Sequence, residues 1–534
     1  MKLITHALCF QFLLSSAAVA AKEPNFVLIY ADDLGFSQLS VSMMKENPEY
    51  AHPLHQTPNI AKLARRGMRF SSAYAPSPVC TPSRASIQFG MTSARVGCIS
   101  IHDVVMNKRK IDMSKNVSIA EMIKAANEDY VTAFFGKGCT PMGWFKDHGY
   151  DVTDFKHKHP NGNAHGDWWE PHTKTPIPDD DPKRVFSLAR SSVDFLDKRV
   201  EDNKPFFLTI SHYAVHVKNT SLKKTRAKYL KIVARQNGIE GGIPDAGKEE
   251  ISGKLRLVWE KANYAAMMED MDTSVGIVLD RLKSAGLKEN TYVIFSSDNG
   301  GGSRNPPLQG GKAKMWEGGL RVPMIVAGPG IAPNSQCDQP VAQWDYLTTM
   351  HDLVGSQVPL PRNLDGVSLR PVLERGNRGK LAERDTGFVF HFPAFYTTPI
   401  TAYRAGDFKL MRHLNTGEIK LFNVADDMGE SKDLSKKLPE KVEEMIGKLD
   451  AYLEKVGAWT MNEVYETRQE ELERWMEGDK KLLTTYQKTL QEQDLEESER
   501  VIIESKLETS RLNLKRHQEN MDLLHAQRIS SSWF

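Results

Sequence analysis

Five short apolar runs, each continuous rather than alternating, constrain this chain more than any other feature. Phe26-Val27-Leu28-Ile29-Tyr30 leads into Ala31-Asp32-Asp33, and Tyr130-Val131-Thr132-Ala133-Phe134-Phe135 into Gly136-Lys137. Phe206-Phe207-Leu208-Thr209-Ile210 ends at Ser211-His212, with His216 beyond, and Tyr292-Val293-Ile294-Phe295 ends at Ser296-Ser297-Asp298-Asn299. Val322-Pro323-Met324-Ile325-Val326 closes on Gly328-Pro329-Gly330. Runs rich in β-branched and aromatic residues, with no polar alternation, suit strands buried on both faces, as in a parallel sheet. Between them, residues 118–127, 185–200 and 259–285 carry apolar residues at helical spacing, with Gly286 as a stop after the last. Alternating strands and helices predict an α/β sandwich. Such sheets gather ligands at the carboxyl ends of their strands, and here those ends carry acids, lysine and histidine.

The net charge of +2 gives no field that would favour nucleic acid or an anionic membrane. Residues 1–20 read as a secretory signal: Lys2, an apolar run through Phe12-Leu13-Leu14, and Ala18-Val19-Ala20 as the cleavage site. That run is too short to span a bilayer, and no later window reaches the needed length. The expected location is therefore periplasmic or secreted. Cys9 leaves with the signal, so Cys80, Cys98, Cys139 and Cys337 remain, enough for one or two bridges and not for a disulfide framework.

From about Phe388 the texture changes. Phe388-Val389-Phe390-His391-Phe392, Thr401-Ala402-Tyr403-Arg404, Phe408-Lys409-Leu410-Met411 and Lys420-Leu421-Phe422 are short runs split by turns, as in a small antiparallel sheet. No proline follows Pro439. Residues 462–530 show two helical stripes: Trp475, Leu482, Leu483, Tyr486 and Leu490, then Ile503, Leu507, Leu514 and Met521. Gly478 and the acidic stretch 494–499 are candidate breaks. A hairpin packed on itself or on the body is expected; a self-associating coiled coil, and with it a homo-oligomer, is the alternative.

Asp32-Asp33 and Asp298-Asn299 each follow a buried run, so the two pairs should meet at one sheet edge. Carboxylates crowded together need a cation between them. With only oxygen donors, the ion expected is hard, calcium ahead of magnesium. Cys80 precedes Ala85-Ser86-Ile87, which opens a helix, so the residue would sit at a helix N-terminus that favours an anion.

The spacing Cys80-Thr81-Pro82-Ser83-Arg84 resembles the C-x-P-x-R maturation signature of the type I sulfatases, in which that cysteine is oxidised to formylglycine. Further segments carry the likeness: Ala31-Asp32-Asp33-Leu34-Gly35, Thr57-Pro58-Asn59-Ile60, Phe135-Gly136-Lys137 and His148-Gly149-Tyr150-Asp151. So do Ser297-Asp298-Asn299-Gly300, Gly311-Lys312 and Trp316-Glu317-Gly318-Gly319-Leu320-Arg321-Val322-Pro323. From Pro24 to about Asp433 the chain is similar to type I sulfatases of the alkaline phosphatase superfamily. The resemblance implies an alkaline-phosphatase-like sandwich with a largely parallel central sheet flanked by helices, to which the residues add the smaller antiparallel C-terminal sheet and the helical extension. The corresponding boundaries are 21–375 for a catalytic domain, 376–460 for a C-terminal α+β subdomain and 461–534 for the extension.

The resemblance also implies sulfate ester hydrolysis by a formylglycine hydrate. One of its oxygens attacks sulfur; the second hydroxyl later expels sulfate as the aldehyde re-forms. Asp32, Asp33, Asp298, Asn299 and the converted Cys80 would hold Ca2+. Arg84 would hold the hydrate or sulfate, Lys137 a sulfate oxygen, Lys312 the sulfate and leaving oxygen, and His216 the leaving group or hydrate; His212 fits that spacing less well. A formylglycine-generating or anaerobic sulfatase-maturing enzyme is the implied partner.

The pattern is broken in two places. Lys137 is followed by Gly138-Cys139-Thr140, so a histidine usual in the family is absent; Cys139, His148, His157 or His159 are the candidates to replace it. Phe89 and Met91 stand where the family has threonine and arginine. For substrate, Trp144, His165, Trp168, Trp169, His391 and Arg404 are read as loop residues at a pocket mouth, with Trp168-Trp169 suited to stacking on a sugar. A sulfated glycan is the expected substrate. A phosphoester hydrolase on the same scaffold and a catalytically silent sulfated-glycan-binding protein are the alternatives.

Overall fold

The computed structural model describes residues 23–99, 113–139, 145–154, 179–239, 242–245, 253–302, 305–384, 386–393, 398–492 and 495–529. The signal segment, Trp144, His157, His159, His165, Trp168 and Trp169 lie outside the described residues.

Strands β1 (Asn25–Ala31), β2 (Met68–Phe70), β3 (Ala73–Tyr74), β4 (Val131–Gly136), β5 (Val152–Thr153), β6 (Phe206–Ser211), β7 (Thr291–Ser297), β8 (Met324–Ala327) and β9 (Ser335–Cys337) precede β10 (Val341–Ala342). An eight-stranded sheet runs in the order β5-β4-β6-β1-β7-β8-β2-β9, while β3 and β10 pair separately. Its centre is parallel: β1 pairs with β6 and β7, and β4 with β6. The Val322–Val326 run supplies the antiparallel member, β8 pairing against both β7 and β2.

All seven residues of β1 are buried, because each face has its own cover. Phe26, Leu28 and Tyr30 face a core with Ala85, Ile87, Phe89, Ile119, Met122 and Ile123. Val27, Ile29 and Ala31 face the other core, with Ile60, Leu63, Leu188, Leu196, Met271 and Val275. That period of two is the strand geometry expressed as packing.

Local signals set the helix ends. Ser118 and Glu121 form a reciprocal capping box at helix Ile119–Ala126. Helix Pro58–Arg66 begins on proline and is capped from a distance, since the Asp272 carboxylate accepts from Asn59 N at 3.1 Å and Ile60 N at 2.8 Å. Helix Gly253–Ser284 carries that aspartate and starts six residues earlier than the periodicity suggests, ending as expected before Gly286.

Strands β11 (Phe388–Phe392), β12 (Ile400–Ala405), β13 (Phe408–His413) and β14 (Ile419–Asn423) form an antiparallel meander. One face packs on helix Pro439–Lys455 through Met445, Leu449 and Tyr452; the other packs Phe388, Phe390 and Phe422 on Tyr74 and Trp344 of the main body.

Helices Met461–Glu492 and Glu497–Ile529 follow as an antiparallel hairpin. The reversal falls in the acidic stretch; Gly478, the other candidate break, lies inside the first helix. Leu472, Leu507, Met521 and Leu524 are buried along the seam, whereas Leu482 stays exposed and Trp475 half-buried. At its base the hairpin joins the body through Trp459, Met461, Val464 and Tyr465 against Ile99 and Leu414. Cys80, Cys98, Cys139 and Cys337 are buried free thiols, so none forms the bridge that the sequence left open.

Candidate active site

The carboxyl ends of β1, β4, β6 and β7 and the N-terminus of helix Cys80–Phe89 meet at one place. Asp32 and Asp298 are fully buried and Asp33 nearly so. One ligand atom from each of Asp32, Cys80 and Asp298 lies within 4.8 Å of the others, and the same holds for Asp32, Asp33 and His216. Asp33 is held at φ 62, a conformation a side chain seldom adopts, and its N–H donates to Asp298 Oδ1 at 3.1 Å. Asn299 Nδ2 donates to Asp33 Oδ1 at 2.8 Å.

Cations surround this acid cluster. Arg84 Nη2 stands 2.6 Å from Asp298 Oδ2 and 3.6 Å from Asp32 Oδ1. Lys137 Nζ donates to Asp32 Oδ2, and Lys312 Nζ to Asp33 Oδ2 at 2.7 Å. His216 Nε2 is 3.7 Å from Asp33 Oδ2. Burial opposes ionisation of Asp32, yet Lys137, His216, Arg84 and Lys312 together hold its carboxyl far below the usual carboxylate range. Asp298 goes the other way: burial pushes it up to about 7 against the pull of Arg84, with the Asp32 charge adding to the rise. Burial lowers His216 to about 4, so it is a neutral imidazole at pH 7.

The sequence places these groups for local reasons. Gly136 takes φ 99, and a Cβ there would stand 1.9 Å from Ser211 O; only glycine lets β4 turn against β6 and deliver Lys137. At Gly319 a Cβ would stand 1.9 Å from Lys314 O, so the turn bearing Lys312 closes over bare backbone.

Within the acid cluster two buried oxygens receive no hydrogen bond, Asp32 Oδ1 and Asn299 Oδ1. Buried acceptors normally find a donor or a cation. With Asp33 and Asp298 beside them they form an all-oxygen set that fits a hard divalent cation.

A family model described as Sulfatase matches residues 24–356, more than half of the chain, and a second, described as N-sulphoglucosamine sulphohydrolase, C-terminal, matches residues 311–458. The chain belongs to the sulfatase family. It is a sulfuric ester hydrolase, the enzyme class its relatives are named for. This sulfatase is 27% identical to a sulfatase of Formosa agariphila over 86% of the chain and 95% of the relative. It is 28% identical to N-acetylgalactosamine-6-sulfatase of Rattus norvegicus over 68% of each. Among solved structures, Ps i-CgsB superposes with a TM-score of 0.63 at 24% identity, covering 81% of this chain and 93% of that one.

The sulfatase departs from the sequence reading at two residues. His391 and Arg404 are not loop residues; they lie on β11 and β12, 3% and 5% exposed, Arg404 lining a surface pocket with Arg384, Tyr403 and Lys448. His391 uses both ring nitrogens, with Thr401 Oγ1 at 2.8 Å and Trp459 O at 2.7 Å. Arg404 donates to Ser72 Oγ at 2.9 Å and to the Tyr74 hydroxyl. Their polarity serves packing between the C-terminal sheet and its neighbours. The family departures have a similar cause: Phe89 and Met91 are core residues, and Phe89 packs edge-on against buried His148 at 5.5 Å. His148 therefore belongs to that core, while Cys139 is buried two residues after Lys137.

Some contacts around the site were not read from the sequence. Ser211 donates to Lys137 O and receives Arg84, Ser297 Oγ receives Leu34 N at 2.8 Å, and the Arg84 guanidinium lies over the Tyr30 ring at 5.1 Å. Tyr30, Ser211 and Ser297 stand at strand ends, where the long-range pairing of strands brings them to the site.

Proposed function

We propose that this sulfatase removes sulfate from a sulfated carbohydrate, using Cys80 converted to formylglycine and a calcium ion held by Asp32, Asp33, Asp298 and Asn299. The observation that carries this reading is that Asp32 Oδ1 and Asn299 Oδ1 receive no hydrogen bond within a buried acid cluster beside Cys80. Calcium there would neutralise the acids and withdraw charge from a sulfate oxygen. Conversion of the thiol to an aldehyde would supply, as its hydrate, the attacking oxygen.

The chain's own groups do the rest. Arg84, Lys137 and Lys312 bring three positive charges to the acid cluster, where a tetrahedral anion can be gripped as its charge redistributes. Near-complete burial of Arg84 excludes water and strengthens that grip. Neutral His216 stands beside Asp33, able to hold or pass a proton at Nε2 near the departing oxygen. The glycan reading is supported by the rat relative's name, N-acetylgalactosamine-6-sulfatase, and by the complex of Ps i-CgsB with k-i-k-neocarrahexaose. No helix among the described residues is long and apolar enough to cross a membrane. With residues 1–20 as a cleaved signal, the enzyme would work in the periplasm or outside the cell, after modification by a formylglycine-generating or anaerobic maturing enzyme.

The test is sulfate release from N-acetylgalactosamine 6-sulfate and from carrageenan oligosaccharides by the matured protein. Release that a chelator stops and calcium restores is expected. Release of phosphate from the matching phosphate esters, without sulfate release, would favour the phosphoesterase alternative; tight binding without either product would favour a silent glycan-binding protein.

A further inference from the structure

We infer that Glu430, in the turn after β14, is a positioning residue that clamps both flanks of the segment carrying Lys312. This rests on the sulfatase reading of the site and adds a residue from outside it. Lys312 lies on irregular backbone, fixed locally by its N–H to Gly301 O at 2.9 Å and by Ala313 N to Pro78 O at 2.8 Å. Upstream, Gln309 Nε2 donates to the Glu430 carbonyl at 2.9 Å. Downstream, Glu317 N donates to Glu430 Oε2 at 2.6 Å. One residue thus grips both sides of the turn that holds Lys312 against Asp33.

Glu430 is itself held firmly. It sits at φ 53, its N–H bonded to Asp427 O at 3.0 Å, while the Asp427 carboxylate receives Ser431 N and Lys432 N at 2.8 Å each. Glu430 Oε1 is 2.9 Å from Lys409 Nζ, which also donates to Glu317 Oε1 at 3.0 Å. Glu317 Oε2 receives the Tyr74 hydroxyl at 2.6 Å and stands 3.4 Å from Arg321 Nη1. Lys409 and Glu317 are fully buried and Glu430 is 2% exposed.

A buried ionic cluster of this kind adds little net stability over an apolar replacement, because removing each charge from water is costly. What it does provide is a unique geometry, since few arrangements satisfy every charge. Here the geometry fixed is that of the Lys312 turn. A lysine that contacts sulfate or the leaving oxygen loses much of its effect when displaced by a fraction of a bond length.

The experiment is a double-mutant cycle on the full, matured chain, with Glu430→Gln and Lys312→Ala made singly and together and assayed on 4-nitrophenyl sulfate. Glu430→Gln is expected to lower kcat/KM by about tenfold in the parent and by less than about twofold in the Lys312→Ala background. Equal factors in the two backgrounds would reduce Glu430 to a general structural role, and an unchanged parent rate would overturn the clamp outright. Gln309→Ala, which removes only the upstream grip, serves if Glu430→Gln does not fold; a loss of about threefold that vanishes with Lys312→Ala is expected, and an additive loss overturns the clamp. Binding of inorganic sulfate, followed by calorimetry through the same cycle, needs no turnover. A parent that releases no sulfate yet shows this coupling would sink the catalytic reading and keep the clamp; independent binding losses would sink the clamp.

Discussion

Arg84 Nε donates to Asp298 Oδ2 at 2.8 Å, joining the helix that begins at Cys80 to the end of β7 across 214 positions of sequence. The same guanidinium reaches the Lys137 carbonyl at 2.9 Å and lies over Tyr30. One planar cation therefore ties together the ends of β1, β4 and β7 and the segment that carries Cys80. Arg84→Lys should keep a charge but lose this fork. We expect sulfate release to fall by about a hundredfold or more, with a lower Tm, in steady-state assays and calorimetry. Near-parent activity would show that the fork is dispensable.

The acid cluster should take up calcium and be stabilised by it. Adding calcium to chelator-treated protein is expected to raise Tm in proportion to the logarithm of its concentration. Asp298→Asn should abolish most of that rise. Because burial lifts Asp298 to about 7, its proton competes with the ion near neutrality. Calcium affinity should therefore increase from pH 6 to pH 8, as calorimetry at several pH values will show.

His52 and His55 stack at 3.5 Å, and burial lowers them to about 4 and about 3 from an ordinary 6.5. A protonated histidine is favoured more in the unfolded chain, which binds protons already below pH 6.5. Their neutral packing is fully stabilising above that value, and stability is lost as pH falls toward 3. His55→Phe should flatten the slope of Tm against pH across that window.

Gly136→Ala should be severe, because the added methyl meets Ser211 O at 1.9 Å and φ 99 disfavours any side chain. A Tm drop of several degrees together with loss of activity is expected, since Lys137 is the next residue. An unchanged Tm would mean the β4–β6 crossing relaxes freely.

The parallel core and its catalytic edge were legible because a strand buried on both faces writes itself as an unbroken apolar run, and the acids after Tyr30 and Ser297 mark where those runs stop. What the sequence hides is pairing at long range. His391 and Arg404 read as loop residues at a pocket mouth, yet they lie on strands and find partners at residues 459, 72 and 74. Lys409, Glu317 and Glu430 carry no period or motif that announces a cluster. Gly478 read as a break, but a helix of 32 residues packed on a second one absorbs the cost of a single glycine, about 1 kcal/mol.

On the proposed reading, an altered Cys80 side chain, set among buried acids and cations, does the chemistry. Mass analysis of tryptic residues 70–84, from protein produced with a maturing enzyme and shown to release sulfate, tests it most directly. The expected peptide carries an aldehyde at position 80 in place of the thiol. An intact thiol in a preparation that still releases sulfate at full rate would contradict it.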